Sequence, residues 1–201
     1  MTPLCELAFK YGTDKCPQIK HSYTPYYYEL LRDKRESVKK VMELGIGYNP
    51  KLATAGEVYD KGLKRMYQKG ASLKMWRDFF PNAEIYGVDI KPEIMFEDER
   101  IQTFLGDERN NDDWERILTE TGTDIDLFID DGSHSSKYQL QVCRFLMSKF
   151  NRDATYIIED VNRPSEMIMK LENNFDCWEP ELHLVENTWT GKLVQVKHKE
   201  I

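Results

Sequence analysis

An apolar run that ends abruptly in acidic residues constrains the fold of this 201-residue chain more than any other feature. Residues 126–134 read Asp-Leu-Phe-Ile-Asp-Asp-Gly-Ser-His, and residues 155–160 end in a similar way, Thr-Tyr-Ile-Ile-Glu-Asp. Continuous apolar runs are typical of strands buried in a parallel sheet, and open α/β sheets bind ligands at the carboxyl ends of such strands. We therefore expect one crevice to be surrounded by Asp130, Asp131, His134, Glu159 and Asp160.

Strand-like and helix-like segments alternate along the chain, which predicts a doubly wound parallel α/β sheet with right-handed crossovers. Residues 51–80 are expected to be mainly helical. The five residues 187–191 cannot hold a helix, so the last two strands are expected to form an antiparallel hairpin. We predict one domain over residues 1–201, with a helical cap at 1–36 and a Rossmann-like core at 37–201. The seven predicted strands are 38–47, 84–90, 100–107, 126–131, 155–160, 182–186 and 192–198.

Charge and composition exclude several classes of partner. The net charge is −7 and no Lys/Arg stripe interrupts it, so nucleic acid is not expected as a partner. No apolar stretch approaches the roughly 20 residues of a membrane span, and the first ten residues do not read as a signal peptide. The four cysteines lack CxxC spacing and are expected to be reduced thiols, which indicates a cytoplasmic protein.

A glycine turn follows the first predicted strand at Glu43-Leu-Gly-Ile-Gly47. Glycines allow a ligand to approach the backbone closely, although a glycine turn of this kind is also common for structural reasons alone. Because Asn49 and Pro50 follow, the GxGxxG fingerprint of nicotinamide-linked oxidoreductases is poorly matched, and that function is disfavoured.

Two further strand ends carry acidic residues that suit a nucleoside. Asp89 ends the second strand, where a carboxylate can accept hydrogen bonds from ribose hydroxyls. A solvated or helix-capping aspartate is an equally good interpretation of that residue alone. Asp107 ends the third strand and could face an adenine edge. Together with Glu43, these residues favour a nucleoside-type ligand, and Ile90 is placed beside it.

His134 is the predicted general base. A lone histidine is usually structural, but His134 follows Asp131 by three residues in a turn that leaves a strand, and imidazole titrates near neutral pH. The crowded carboxylates nearby predict a shared cation or proton. The aromatic residues between Tyr23 and Tyr28 are expected to pack in the core or in a lid, and Tyr11 and Trp76 are possible ligand contacts.

These motifs together resemble the metal-dependent sugar O-methyltransferases that act on deoxysugars of macrolide and tetracenomycin-type antibiotics. The resemblance spans nearly the whole chain. It rests on Tyr11-Gly-Thr-Asp-Lys15, His21-Ser-Tyr23, Glu43-Leu-Gly-Ile-Gly47, Gly70-Ala-Ser-Leu-Lys-Met-Trp76, Phe80-Pro-Asn-Ala83, Tyr86-Gly-Val-Asp-Ile90, Gly106-Asp107, Ile129-Asp-Asp-Gly-Ser-His134 and Ile158-Glu-Asp-Val161. One departure is Tyr48 after Gly47, where a third nearby glycine is missing.

The resemblance implies a class I methyltransferase fold, S-adenosylmethionine as methyl donor and, as metal, Mg²⁺ or another divalent cation. It places Glu43, Gly45 and Gly47 near the methionine part of the donor, Asp89 at the ribose and Asp107 at the adenine, with Ile90 and Asp130 as further cofactor contacts. It implies Asp131, Glu159 and Asp160 as metal ligands, with His134 as base and Asp131 also catalytic.

The acceptor implied by the resemblance is a small-molecule or glycan sugar, with a rhamnose-like 6-deoxysugar as our expectation. The chain would also fit a domain of a larger glycan-building polypeptide. Three alternatives stay open: a catechol-type or other small-molecule O-methyltransferase, a non-catalytic adenosyl-binding module, and, less favoured by the acidic charge, an RNA methyltransferase.

Overall fold

The computed structural model describes residues 1–47, 57–60, 65–174, 178–184 and 192–199. The strands are β1 Lys40–Leu44, β2 Glu57–Asp60, β3 Arg65–Gln68, β4 Glu84–Asp89, β5 Glu97–Asp98, β6 Ile101–Leu105, β7 Leu127–Asp130, β8 Thr155–Ile158, β9 Trp178–Leu184 and β10 Lys192–His198. The α-helices are α1 Pro3–Tyr11, α2 Tyr23–Leu31, α3 Ala71–Phe79, α4 Asn111–Thr121, α5 Ser136–Met147 and α6 Pro164–Asn174.

Eight of these strands form one sheet in the order β5-β6-β4-β1-β7-β8-β10-β9. The five central strands from β6 to β8 are parallel, whereas β5 and the two C-terminal strands pair antiparallel to their neighbours. The predicted α/β class and the C-terminal hairpin are confirmed. The parallel centre brings the carboxyl ends of β1, β4, β7 and β8 to one edge, where the acidic residues of the sequence follow.

Alternating side chains divide the apolar core into two layers, because successive residues of a strand point to opposite faces. In β1, Val41 packs with the N-terminal helices and α3, whereas Met42 packs with α4, α5 and α6. In β7, Leu127 and Ile129 share the first face, and Phe128 lies on the second. Both faces are covered, which explains why the central strands read as continuous apolar runs.

The predicted N-terminal cap is a pair of helices packed on α3. Helix α1 begins at Thr2, whose side-chain oxygen accepts a hydrogen bond from the backbone N–H of Cys5 at 3.2 Å. It ends at Gly12, whose φ of 92° suits a residue without Cβ. Helix α2 places buried Tyr23 and Tyr27 on the same side as Trp76 of α3. The cap therefore covers the sheet face on which the odd-numbered residues of β1 lie.

Two details of the prediction are wrong. The main sheet has eight strands, not seven, because the two-residue strand β5 extends its edge beside β6. Within residues 51–80, the described part is not mainly helical, since β2 and β3 form a separate antiparallel pair before α3. The local sequence there lacks the alternation of apolar and polar residues that would have distinguished a pair of strands from a helix. The position of Tyr48 lies outside the described residues, and the domain boundary at 36/37 stays a prediction.

No helix within the described ranges is long and apolar enough to cross a membrane.

Candidate active site

The acidic residues after β7 and β8 are divided between the two faces of the sheet. Glu43, at the end of β1, follows the parity of Val41 and lies on the face covered by the cap. Asp131 and Glu159 line a cavity on the same side. Asp130 has the opposite parity, since it follows Phe128 by two residues in β7. Because consecutive side chains point to opposite faces, Asp131 lies in the cavity while its neighbour Asp130 lies in the core.

Asp130 does not face the crevice, so this part of the prediction is wrong. Its side chain is fully buried, accepts a hydrogen bond from the Tyr156 hydroxyl at 3.1 Å, and lies against Cys143. Burial raises the pKa of Asp130 to about 7. It lies outside both cavities described below, and its predicted contact with the cofactor has no support in its position.

The first cavity, here called the acid cavity, has a volume of about 270 Å³ and lies between the cap and the strand ends. Much of its lining is titratable, including Lys15, Glu43, Asp131, His134, Glu159 and Asp160. Three of these side chains are almost completely buried, since Lys15 is 2% exposed and both Glu43 and Glu159 are 1% exposed. Charges removed from water to this degree must compensate one another.

Lys15 is the central counter-charge of the acid cavity. Its Nζ lies 2.7 Å from Asp131 Oδ2, 2.5 Å from Glu159 Oε2 and 3.6 Å from Glu43 Oε1. Burial by itself would lower the pKa of Lys15, but these three carboxylates raise it well above its ordinary value. Lys15 therefore stays protonated. For the carboxyl of Asp131, burial acts in the opposite direction and would raise the pKa, but Lys15 and His134 lower it to about 2.

Hydrogen-bond donors of the cap and α3 orient the carboxylates. Tyr27 donates to Glu159 Oε1 at 2.5 Å, and Tyr23, one helical turn earlier, donates to Asp160 Oδ1. Trp76 of α3 donates its indole N–H to Glu43 Oε2 at 2.6 Å. Each of these three carboxylates is thus fixed by a donor outside the strand that carries it.

His134 lies at the open side of the cavity, with 41% of its side chain exposed. Its Nε2 is 3.1 Å from Asp131 Oδ1 and 3.7 Å from Asp160 Oδ2. The hydrogen bond with Asp131 raises the pKa of His134. Both His134 and Asp160 have left-handed backbone conformations, with φ values of 56° and 50°. Such conformations are costly for residues with a side chain and cluster at functional sites.

A cation could be held by Asp131, His134 and Asp160, since one possible ligand atom from each lies within 4.8 Å of the other two. Glu159, predicted as a third carboxylate ligand, is not a member of that group and is paired with Lys15 and Tyr27. Its role as a metal ligand stays a prediction. The predicted ligands Asp131 and Asp160 are close together because two adjacent parallel strands deliver them to one edge.

The second cavity, here called the glycine cavity, has a volume of about 410 Å³ and shares Gly45, Gly47, Asp131 and Gly132 with the acid cavity. Gly45 has a φ of 83°, and a Cβ on it would lie 1.9 Å from the carbonyl oxygen of Asp131. Only glycine fits where β1 and β7 approach so closely. Asp89 Oδ2 accepts a hydrogen bond from the Gly47 N–H at 2.8 Å, so Asp89 also holds this turn.

The other predicted donor-binding residues line the glycine cavity. Ile90 is 52% exposed there, an apolar side chain beside the acidic Asp89. Asp107 lies at the end of the cavity, where Arg109 Nε donates to its Oδ1 at 2.8 Å and lowers its pKa. The structure therefore brings Asp89, Ile90 and Asp107 together, while their individual roles stay predictions.

The contribution of the cap to the acid cavity is not predictable from the sequence motifs. Lys15 belongs to the Tyr-Gly-Thr-Asp-Lys block, but no local signal showed that a lysine of this block is buried among carboxylates. The aromatic pattern predicts only core or lid packing for Tyr23 and Tyr27. Their spacing of four residues places both hydroxyls on one side of α2, and this spacing could have indicated a shared function. His21 stacks on Tyr23, with ring centroids 4.9 Å apart.

The strand order, the glycine turn after β1 and the acidic strand ends together define the Rossmann-like methyltransferase fold. The MycE methyltransferase from the mycinamycin biosynthetic pathway, solved in complex with Mg, SAH and mycinamycin VI, has this fold. It aligns with a TM-score of 0.75 and 25% identity, covering 99% of this chain and 54% of that chain.

Two relatives of known activity indicate which class of methyltransferase the chain resembles. Mycinamicin VI 2''-O-methyltransferase of Micromonospora griseorubida is 33% identical over 158 residues. The 8-demethyl-8-(2-methoxy-alpha-L-rhamnosyl)-tetracenomycin-C 3'-O-methyltransferase of Streptomyces olivaceus is also 33% identical over 158 residues. Each match covers 79% of this chain and 36% of the relative, so the chain spans about a third of the length of these proteins. No family model matches the chain. The resemblance to sugar O-methyltransferases is confirmed.

Proposed function

We propose that this chain transfers a methyl group from S-adenosylmethionine to a hydroxyl of a sugar, assisted by Mg²⁺. The observation that carries the proposal is the junction of the two cavities. One holds a histidine beside acidic residues, the other is a glycine-lined cleft with acids at the strand ends, and they share Gly45, Gly47, Asp131 and Gly132. A donor in one and an acceptor in the other would meet there.

The acid cavity fits a hard divalent cation. Asp131 and Asp160 offer the carboxylate oxygens that Mg²⁺ prefers, and His134 lies within reach of both. When bound, such an ion supplies acidification and orientation of an acceptor hydroxyl. Asp131 and Asp160 would hold it, with Glu159 as the further predicted ligand.

The residues that line the glycine cavity have the chemistry needed to bind an adenosyl donor, with glycines, two acids and an apolar side chain. S-adenosylmethionine supplies an electrophilic methyl group on a sulfonium. Asp89 already accepts backbone hydrogen bonds from Gly47 and from Lys91, but each carboxylate oxygen has a second lone pair for a ribose hydroxyl. The exposed Ile90 offers apolar surface to the adenine, and Asp107 offers an acceptor at its edge.

His134 would take the proton of the attacking hydroxyl. If Nε2–H donates to Asp131, the neutral ring keeps Nδ1 as its basic nitrogen. The acceptor oxygen then bonds to the methyl carbon as the carbon–sulfur bond breaks, the sulfur keeps the electron pair, and the proton passes to His134. Asp131 would stabilise the imidazolium so formed. Holding both reactants at one junction would supply much of the acceleration.

The names of the relatives support a sugar hydroxyl as acceptor. One methylates a 2''-hydroxyl of mycinamicin VI, and the other a 3'-hydroxyl of a rhamnosyl tetracenomycin. A 6-deoxysugar such as rhamnose, in a glycan or glycoside, is therefore the acceptor class that we propose.

We further propose that the domain acts in the cytoplasm and within a larger glycan-building polypeptide. Cys5 and Cys143 are buried free thiols, which suits a reducing compartment.

The test is incubation of the protein with isotopically labelled S-adenosylmethionine, Mg²⁺ and matched panels of rhamnosyl glycosides and catechols, read by mass spectrometry. We expect labelled methyl ethers on the rhamnosyl compounds, lost with EDTA and restored by Mg²⁺. Methylation of catechols alone would contradict the sugar acceptor, and EDTA-resistant transfer would contradict the metal.

His134→Ala isolates the base. We expect turnover to fall by about 10²- to 10⁴-fold, because general base catalysis contributes that much, while affinity for the donor stays within twofold. His198→Ala, at a histidine on β10 outside both cavities, is the matched control. A loss of donor affinity in His134→Ala equal to the loss of turnover would contradict the assignment.

A further inference from the structure

We propose that Lys15 is a two-position counter-ion, which moves its ammonium from Asp131 and Glu159 to Glu43 when a divalent cation binds in the acid cavity. The inference rests on the proposed metal site and adds a positioning residue to it. It concerns a side chain of the cap, a segment that neither the glycine turn nor the strand ends would have suggested as part of the site.

The first observation is competition for the same oxygens. Lys15 Nζ contacts Asp131 Oδ2 at 2.7 Å and Glu159 Oε2 at 2.5 Å. Asp131 is also a member of the group that could hold a metal ion. An ammonium and a divalent cation on the same carboxylates repel each other strongly where water is excluded. A metal ion bound to these acids therefore disfavours the position that Lys15 occupies.

The second observation is an alternative partner for the ammonium. Glu43 Oε1 is buried and has no hydrogen-bond partner in the described part of the chain, while Trp76 binds the other oxygen, Oε2. A buried carboxylate oxygen without a donor is costly. Glu43 Oε1 lies 3.6 Å from Lys15 Nζ, so a shift of under about 1 Å would form a charge-assisted hydrogen bond.

The third observation is that the backbone of Lys15 is anchored. The ammonium can therefore change its position by side-chain rotation alone. The Lys15 carbonyl oxygen accepts hydrogen bonds from the N–H groups of Tyr23 and Thr24 at 3.1 and 3.0 Å. These bonds tie the loop after α1 to the first turn of α2. The ammonium can then move between two acceptors while the cap stays in place.

The movement would link the two cavities. Glu43 is the last but one residue of β1 and lies two residues before Gly45, which lines both cavities. Transfer of the ammonium to Glu43 would satisfy a buried oxygen on β1 and would lengthen the contacts of Lys15 with Asp131 and Glu159, which weakens its competition with the metal.

The test is calorimetric titration of the metal-stripped, donor-free protein with Mg²⁺. We expect Lys15→Met to bind Mg²⁺ at least about tenfold more tightly than the wild type, because the competing charge is gone. Glu43→Gln should bind about tenfold more weakly, because the displaced ammonium loses its charged acceptor. Lys149→Met, which removes a lysine paired with Glu115 on the surface, is the control and should change nothing.

The double variant separates the movement from a general charge effect. If Lys15 changes partner, Glu43→Gln has almost no effect in a Lys15→Met background, since no ammonium remains to be received. Additive effects of the two substitutions would overturn the inference, and so would unchanged or weaker Mg²⁺ binding by Lys15→Met.

A crystal structure of the Mg²⁺-loaded wild type gives a result even if the variants fail to fold. We expect Lys15 Nζ within hydrogen-bonding distance of Glu43 Oε1. A lysine that stays on Glu159 would overturn the inference and leave the proposed function intact. A wild-type protein that binds no Mg²⁺ would overturn both this inference and the metal part of the proposed function.

Discussion

The acid cavity and the glycine cavity meet at one sheet edge but are built in different ways. The glycine cavity is made by turns that directly follow the strands. Asp89 accepts hydrogen bonds from Lys91, two residues later, and from Gly47 after the neighbouring strand β1, and Asp107 accepts one from Arg109, two residues later. In the acid cavity, Lys15 reaches Asp131 and Glu159 across 116 and 144 residues. One cavity is a property of the sheet, and the other exists only when the cap has packed on it.

Burial and charge therefore serve separate tasks in the two cavities. The acid cavity holds three almost completely buried charged side chains, Lys15, Glu43 and Glu159, each oriented by a specific partner, which suits chemistry in a low-dielectric site. The glycine cavity is more open and offers backbone, apolar surface and strand-end acids, which suits recognition. Substitutions that affect only one of the two tasks test this division.

The largest effect is expected for Asp131→Asn. The amide keeps the shape but loses the charge that pairs with Lys15 and His134, so we expect turnover to fall by about 10³-fold. Affinity for S-adenosylhomocysteine, measured by calorimetry, should change by less than about threefold. Asp153→Asn, an exposed surface change, is the control. Equal losses of turnover and of product affinity would break the proposed division.

Asp89→Asn should have the complementary effect. Both of its oxygens accept backbone N–H groups, so an amide must turn its own NH₂ toward a donor and loosen the glycine turn. We expect S-adenosylhomocysteine to bind about ten- to hundredfold more weakly, with unchanged affinity for Mg²⁺. A weakened metal site in the same titrations would show that the two cavities do not act separately.

Tyr27→Phe measures what the cap contributes to the acid cavity. The substitution leaves the buried Glu159 Oε1 without its donor, and hydrogen bonds to charged groups contribute about 1.5–3 kcal/mol to stability. We expect a loss of about 2 kcal/mol in the free energy of unfolding by urea. Tyr28→Phe on the same helix should cost much less. Similar costs for both variants would mean that the hydroxyl bond to Glu159 does not stabilise the fold.

The smallest effect concerns the attachment of the cap to α3 through Asp78. Burial would raise the pKa of this carboxyl, but hydrogen bonds from Tyr11, Lys10 and Arg77 lower it. A carboxyl with a lowered folded-state pKa stabilises the protein above its unfolded-state pKa of about 3.9, and this contribution is lost as the pH falls through the folded-state value.

We therefore expect Asp78→Asn to reduce the free energy of unfolding at neutral pH by less than about 1 kcal/mol, with the difference from the wild type vanishing in strong acid. Urea titrations at a series of pH values check this, with Asp153→Asn as reference. A difference that persists below the folded-state pKa would assign the effect to packing instead of charge.

Much of the fold could be predicted because its signals are local. The seven predicted strands all correspond to strands of the main sheet, and the short gap at 187–191 identified the hairpin. The pair β2–β3 was missed because its segments are only four residues long and carry no clear alternation. The edge strand β5 has two exposed residues and no apolar signal at all.

The site was predicted less evenly. Asp131, His134 and Asp160 lie together, as their place after two neighbouring strands had suggested. Asp130 could not be separated from Asp131 without the register of β7, because the strand end itself decides which of two consecutive acids turns into the core. The partner of Glu159 was missed, since a lysine far away in the sequence gives no local sign that it will be buried.

The alternation of strands and helices, the acids at the strand ends and the glycine turn beside them can all be read from the chain. They follow from short-range sterics and apolar spacing, which act within each segment. The burial of Asp130 in the core, and the contacts of Lys15, Tyr23 and Tyr27 with the carboxylates of the acid cavity, are visible only in the folded protein. Contacts of that kind depend on side-chain direction and on the docking of the cap, and they are stable only after water has been excluded from the whole cluster.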